Sequence, residues 1–312
     1  MDKRIRIVEV GPRDGFQNVQ TFIDTTDKLL IAKALIDSGV KHMEATSFIS
    51  PKWIPQMADA ADVVKEVCAY TRGRDVEIIA LTPNLQGVKR AVETGIDAIV
   101  YVISASETHN MKNVNRNKEE SIADFREACR IKGNKKMKIS IATAFGCPYE
   151  KEVGKEKVLN LALQALEAGA DEIIICDTIG VADPYQVRDM IRFLKKEIDL
   201  TKYGLGLHLH DTRGMSLACT VMAVEEGVRT FESAVGGLGG CPFAAGATGN
   251  QATEDLVAML AQMGFETGID LDKLLQVTAL VEQKVDFPIA SHMYVMKACS
   301  TMVPKGSVLA TG

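Results

Sequence analysis

Two histidines separated by one residue, His208 and His210, stand in the run Gly206-Leu207-His208-Leu209-His210-Asp211-Thr212. Side chains alternate faces along an extended strand, so both imidazoles point the same way while Leu205, Leu207 and Leu209 share the other face. Two imidazoles side by side are a common beginning of a metal site; one structural histidine beside an exposed one is the plainer alternative. At the far end of the chain, Gly11-Pro12-Arg13-Asp14-Gly15 sets a permanent cation beside a carboxylate in a turn of breaker residues. Two imidazoles still need oxygen ligands. Asp14 is the best anionic candidate and Asn250 offers a neutral carbonyl oxygen. Such a set suits six-coordinate Mg²⁺ or Mn²⁺, with Zn²⁺ a further option. A closed structural zinc site is not expected, because no cysteine has ligand spacing near the histidines.

Arg13 reads in two compatible ways: as a bridge to Glu44, and as a donor to a developing enolate oxygen, held in place by Glu44. Cys241 lies in the glycine-rich stretch from Gly236 to Gly246. It is either a small filler or a thiol on a loop that closes over substrate and exchanges a proton. The same stretch lacks the lysine and Ser/Thr of a phosphate-binding loop. Asp211 should face away from the histidines as a cap. His42 is read as packing within its strand, His109 as a possible substrate contact in a polar loop, and His292 as structural. Cys176 is read as buried in a strand.

These residues meet only if the fold gathers them. Strand-like runs at 5–10, 40–48, 76–81, 97–103, 138–143, 172–176, 204–210 and 230–234 alternate with helical runs, including 24–38, 58–68, 121–131, 155–168, 215–226 and 253–263. A polar loop is expected from Ser104 to Asn117. Glycine repeatedly closes a helix just before a strand, as at Gly39, Gly95, Gly169 and Gly227. About eight strand–helix units over roughly 250 residues predict a (β/α)8 TIM barrel, with a doubly wound open sheet as the alternative. In a barrel, chemistry sits at the carboxyl ends of the strands, where Arg13, Asp14, Glu44, Asp177, His208 and His210 all fall. One catalytic domain is expected over 1–312, with a short helical extension from about 276.

Composition narrows the function. Of 312 residues, 46% are hydrophobic and 25% charged, ordinary for a soluble globular chain. A net charge of −5 argues against a nucleic-acid or anionic-membrane partner. No apolar run is long enough to span a bilayer, and the N-terminus leads straight into a strand without a signal-like segment. Seven cysteines without a C-x-x-C pair fit a reducing compartment, so a cytoplasmic protein is expected.

Long segments resemble one family. Gly11-Pro12-Arg13-Asp14-Gly15-Phe16-Gln17-Asn18 is similar to the N-terminal signature of 3-hydroxy-3-methylglutaryl-CoA (HMG-CoA) lyases. So are the segment from Glu44 through Pro51-Lys52-Trp53 to Gln56, Asp177-Thr178-Ile179-Gly180, and His208-Leu209-His210-Asp211-Thr212. Gly237-Leu238-Gly239-Gly240-Cys241-Pro242-Phe243-Ala244, continuing to Asn250 and Asp255, completes the likeness, which runs from about residue 5 to about 275. The resemblance implies a metal-dependent retro-Claisen cleavage of HMG-CoA, or a close 3-hydroxy-acyl-CoA analogue, to acetyl-CoA and acetoacetate. It implies Asp14, His208, His210 and Asn250 as ligands of Mg²⁺ or Mn²⁺. It implies Arg13, Glu44, Asp177, His208 and Cys241 as catalytic residues, with Gln17 and Asn113 binding the acyl-CoA. A homo-oligomer is expected. Phe16 replaces a usual leucine, and Ile175-Cys176 replaces a usual Leu-Gly.

Three other readings stand beside it. A Claisen synthase joining acetyl-CoA to a 2-oxo acid would share the histidine and Arg-Asp pairs, but such enzymes carry more sequence after the barrel. An iron oxygenase with two histidines and a carboxylate would need an all-β barrel. A non-catalytic metal-binding scaffold would have no use for Arg13, Glu44 and Cys241.

Overall fold

Eight strands pair in parallel in sequence order, and the last returns to the first. They are β1 (Arg6–Glu9), β2 (His42–Ser47), β3 (Glu77–Thr82), β4 (Ala98–Ser104), β5 (Lys136–Ala142), β6 (Glu172–Asp177), β7 (Gly204–Leu209) and β8 (Thr230–Ser233). The computed structural model describes residues 2–200, 202–240 and 249–302. Closure is direct: Val8 of β1 pairs with His42 of β2 on one side and Glu232 of β8 on the other. The open-sheet alternative is thereby excluded, and so is the all-β barrel of an iron oxygenase.

The helices are α1 (Thr25–Asp37), α2 (Ala60–Tyr70), α3 (Leu85–Val92), α4 (Glu107–Val114), α5 (Lys118–Ile131), α6 (Lys155–Ala168), α7 (Pro184–Leu194), α8 (Ser216–Glu225), α9 (Thr253–Gln262), α10 (Leu271–Lys284) and α11 (His292–Met302). Their ends follow local chemistry. Asp24 caps α1 by accepting from the Asp27 N–H. Asn117 with Glu120, and Asp183 with Gln186, form reciprocal capping boxes on α5 and α7. The helices cover strands whose outward residues are apolar and buried, such as Ile173 and Ile175 of β6 and Leu205, Leu207 and Leu209 of β7. Among the described residues no helix is long and apolar enough to cross a membrane.

The structure departs from the sequence reading between Ser104 and Asn117, where a loop is expected and α4 forms instead. Ser106 caps it by accepting from the His109 N–H, and Asn115 ends it in the left-handed conformation at φ 53°. The helix hides from a hydrophobic-periodicity argument because its buried residues are His109 and Asn110. After α9 the chain continues into α10 and α11.

Inside the barrel, the amino-terminal end is closed by charge. Lys138 Nζ lies 2.9 Å from Glu77 and 3.3 Å from Glu172, and Arg6 pairs with Glu172. His42 joins this network through Glu77 at 3.2 Å, so it faces the barrel interior rather than packing toward a helix. Gly204 leaves room for the cluster, since a Cβ there would stand 3.0 Å from Glu172 Cγ. Buried ions paired on several sides are tolerated where a lone one is not. The polar residues at the carboxyl end are therefore a separate feature that needs its own account.

Candidate active site

Three backbone devices assemble the carboxyl-end cluster. The turn after β1 folds Arg13, Asp14 and Gly15 back onto one acceptor, the Val10 carbonyl, at 3.1, 2.7 and 3.4 Å. This aims two adjacent side chains at the barrel mouth. On β7 the alternation of faces sends His208 inward, with Cys176 and Glu232 beside it in register. The segment after 249 then bridges the end of β7, with the Gln251 N–H donating to the Leu209 carbonyl at 3.2 Å and His210 opposite Asn250. Asn250 thus arrives next to His210 although it lies 40 positions further along the chain.

Asp14, His208 and His210 present ligand atoms within 4.8 Å of one another. His210 Nε2 is 3.9 Å from Asp14 Oδ2, and the two imidazole centroids are 5.0 Å apart. Asn250 Nδ2 donates to Asp14 Oδ2 at 2.6 Å and to the Leu238 carbonyl at 3.0 Å. Among the described residues, Asn250 Oδ1 and His210 Nδ1 are buried without a hydrogen-bond partner. Orphaned buried polar atoms at a cluster of this kind fit an ion better than they fit a finished protein interior. Burial holds His210 down at about 4, with His208 beside it adding to the effect, so its ring is neutral and carries a lone pair at neutral pH. Burial works against ionised Asp14, but Arg13 and the two histidines outweigh it and keep the carboxyl well below the usual range. A carboxylate, two imidazoles and an amide oxygen together make a donor set suited to a divalent cation.

His208 is held by a residue that the sequence reading missed. Its Nδ1 lies 2.9 Å from Glu232 Oε2, and both side chains are buried. A carboxylate accepting from Nδ1–H fixes the tautomer that leaves Nε2 free to ligate. The signal was available as an acid within the strand-like run Thr230-Phe231-Glu232-Ser233.

Arg13 is gripped from both sides. Its Nε donates to Glu44 Oε1 at 2.7 Å, its Nη2 to Glu44 Oε2 at 3.3 Å, and its Nη1 to Asp14. Burial disfavours its charge, but the two carboxylates raise its pKa, so the guanidinium stays protonated.

Two further acids, also missed, brace the loops. Glu9 accepts from the N–H groups of Gly11 and Val235 at 2.8 and 2.9 Å and from the Thr253 hydroxyl at 2.7 Å. Glu254 accepts from the Gly236 N–H at 2.8 Å and from Thr278. Nothing in their local sequence marks them, because their partners come from distant loops.

A cavity of about 970 Å³, its open mouth included, holds most of the sequence-predicted residues: Arg13, Asp14, Gln17, Glu44, Asn113, His208 and His210 line it. His109 also lines it, from α4. Asn250 reaches the cluster through Asp14. Asp177 is not among the lining residues; its two oxygens accept from the Val181 and Ala182 N–H groups at 3.0 and 2.9 Å and shape the loop before α7. Asp211 accepts from the Ser216 N–H at the start of α8, as a cap. His292 lies far along the chain, with its Nδ1 2.9 Å from Asp255. Cys241 lies outside the described residues.

The HMGL-like family model matches residues 4–281. The chain belongs to the HMGL-like family. It is 42% identical over 292 residues to hydroxymethylglutaryl-CoA lyase YngG of Bacillus subtilis, covering 93% of this chain and 96% of that one. The crystal structure of the Bacillus subtilis HMG-CoA lyase superposes with a TM-score of 0.90 at 41% identity, over 96% of this chain and all of that one (100%). An HMG-CoA lyase from Acinetobacter baumannii, in complex with coenzyme A and 3-methylmalate, matches with a TM-score of 0.88 at 38% identity, over 93% of this chain and 94% of that one. As an HMGL-like chain it shares with these enzymes the whole barrel that carries the cluster.

Proposed function

We propose that this protein cleaves HMG-CoA to acetyl-CoA and acetoacetate by a retro-Claisen reaction. The observation that carries the reading is the cluster of half-buried Asp14 with buried His208 and His210 beside a doubly held Arg13, in a chain 42% identical to an HMG-CoA lyase over 292 residues.

Asp14, His208, His210 and Asn250 hold a divalent cation, taken as Mg²⁺ or Mn²⁺. That ion, when bound, acts as a Lewis acid that lowers the pKa of the substrate's tertiary alcohol. The alcohol proton passes to solvent water at the cavity's open mouth, the freed oxygen electron pair forms the ketone of acetoacetate, the C2–C3 bond breaks, and its electron pair moves onto the thioester oxygen as an enolate. Arg13 donates to that oxygen, where charge develops, and Glu44 keeps the guanidinium in place. C2 is then protonated, a step given to Cys241. Gln17 and Asn113, both at the cavity lining, contact the acyl-CoA. Asp177 acts as a positioning residue, through the loop it organises. The protein works in the cytoplasm as a homo-oligomer.

The test is to mix purified protein with HMG-CoA and Mg²⁺ or Mn²⁺, with EDTA as control, and to follow acetoacetate. Metal-dependent acetoacetate is the expected result. Absence of product from metal-loaded protein would overturn the substrate.

A further inference from the structure

Glu9 and Glu254 brace the turn after β8, and both are 0% exposed. Their hydrogen-bond partners among the described residues are amides and hydroxyls, not cations. They take consecutive amides of that turn. The Val235 N–H donates to Glu9 Oε1 at 2.9 Å, and the Gly236 N–H reaches both Glu254 oxygens, at 2.8 and 3.1 Å. Glu9 Oε1 also accepts from the Gly11 N–H at 2.8 Å. One carboxyl oxygen thus joins the turn that carries Arg13 and Asp14 to the turn that leads into Leu238 and Gly239. The two turns touch, since a Cβ on Gly15 would stand 2.7 Å from Leu238 Cβ. The Leu238 carbonyl in turn holds Asn250 Nδ2 at 3.0 Å, beside Asp14.

The hydroxyl partners locate the protons. Thr278 Oγ1 lies 3.0 Å from the Leu274 carbonyl and also contacts Glu254 Oε1. A threonine hydroxyl owns one proton, and a carbonyl cannot donate. With Thr278 donating to Leu274, its bond to Glu254 requires a proton on the acid. Thr253 offers Glu9 the same outlet: its Oγ1 lies 2.7 Å from Glu9 Oε2 and 2.9 Å from Ser233 Oγ, a second partner for its own proton. From the β8 turn the acids meet two amides, and from α10 the Thr278 hydroxyl. The charged groups facing them are acidic. Glu254 opposes ionisation of Glu9, and Asp255, which also holds Ser291 and His292 of the C-terminal segment, opposes that of Glu254. Burial raises both carboxyls from 4.5 to about 7, so what the protons contribute is present at low pH and is lost as pH rises through about 7.

We infer that Glu9 and Glu254 form a protonated clamp on the β1 and β8 turns, and that their ionisation in alkali opens the clamp and unseats Asn250 beside Asp14. Ionised, the two acids and Asp255 put three negative charges in one dry corner, and the turns part to admit water. Opening of the clamp is independent of the reaction; its effect on turnover rests on the cation-site reading above.

Hydrogen–deuterium exchange on the full-length protein, without added metal, reads the clamp through the Val235 and Gly236 amides. After correction for intrinsic exchange rates, their protection should fall by about tenfold or more between pH 6 and pH 8.5. The double variant Glu9→Gln/Glu254→Gln keeps an oxygen acceptor and an N–H donor at both places and should hold its protection constant. With Mn²⁺ and HMG-CoA, kcat should fall over the same range in the wild type and stay closer to level in the double variant. Wild-type protection that does not change with pH overturns the inference, whether or not the double variant folds. An equal fall in both proteins overturns it as well. Lost protection with an unaltered kcat would overturn the control of turnover. No acetoacetate at any pH would overturn the reaction reading, and the exchange result would still decide the clamp.

Discussion

Glu232 Oε2 lies 2.9 Å from His208 Nδ1, in register on the neighbouring strand. The pair couples the last strand of the barrel to the cation site. It converts an imidazole with two equivalent choices into one with its lone pair fixed on Nε2. Loss of that support in Glu232→Ala should weaken Mn²⁺ binding by about 10- to 100-fold, read by titration calorimetry on the protein without substrate. Glu232→Asp keeps the charge and should recover part of the loss. Unchanged affinity in Glu232→Ala would remove this residue from the site.

Arg13 is placed to act on charge that exists only as the C2–C3 bond breaks. Arg13→Gln should therefore lower kcat by about 10²- to 10³-fold and change KM far less. Steady-state kinetics on HMG-CoA checks this, and a change confined to KM would move Arg13 to substrate binding.

Gly239 has φ +126°, and a Cβ there would come within 2.5 Å of Asn250 Nδ2 and 3.3 Å of Asp14 Oδ2. Gly239→Ala should thus push two of the proposed ligands apart, beyond the ~1–2 kcal/mol backbone cost of a left-handed alanine. Mn²⁺ affinity and turnover should both fall by at least about tenfold while the melting temperature drops only a few degrees. Full activity in this variant would show that the approach is relieved without moving Asn250.

Burial raises the Glu9 carboxyl to about 7, against hydrogen bonds from Thr253, Val235 and Gly11 that favour its ionised form. In the unfolded chain the same group titrates near 4.5. Between those values the folded state binds the proton more tightly, so stability is fully present below about 4.5 and is lost as pH rises through about 7. Glu9→Gln mimics the protonated acid: its oxygen accepts from Gly11 and Val235, and its amide donates to Thr253. Melting temperatures between pH 5 and 8 should slope downward less steeply in this variant, a difference worth up to ~3 kcal/mol. An identical slope in both proteins would show that Glu9 is ionised throughout.

The alternation of strand and helix narrowed the fold to a barrel or an open doubly wound sheet, because the period of apolar residues and several of the glycine stops are written locally; the pairing of β8 with β1 decided between them. Strand parity alone put His208 and His210 on one face, and position at a strand end alone put Arg13 and Asp14 at the mouth. The helix α4 escaped the sequence reading because the side chains it buries are polar.

What only the tertiary structure decided is the pairing between distant segments. Glu232 meets His208 because β8 closes beside β7. Glu9 braces Val235 after β8 and Thr253 of α9, and Gly239 lies against Asn250, 11 positions further along the chain. Asp177, which ends its strand as Asp14 follows its own, turns into a loop instead of the cavity. Cys176 is a buried strand residue by sequence and a cavity wall in space. The physical reason is common to all of them: periodicity reports which face a residue takes, whereas the partner on that face is set by barrel closure and register, which join residues far apart in the chain.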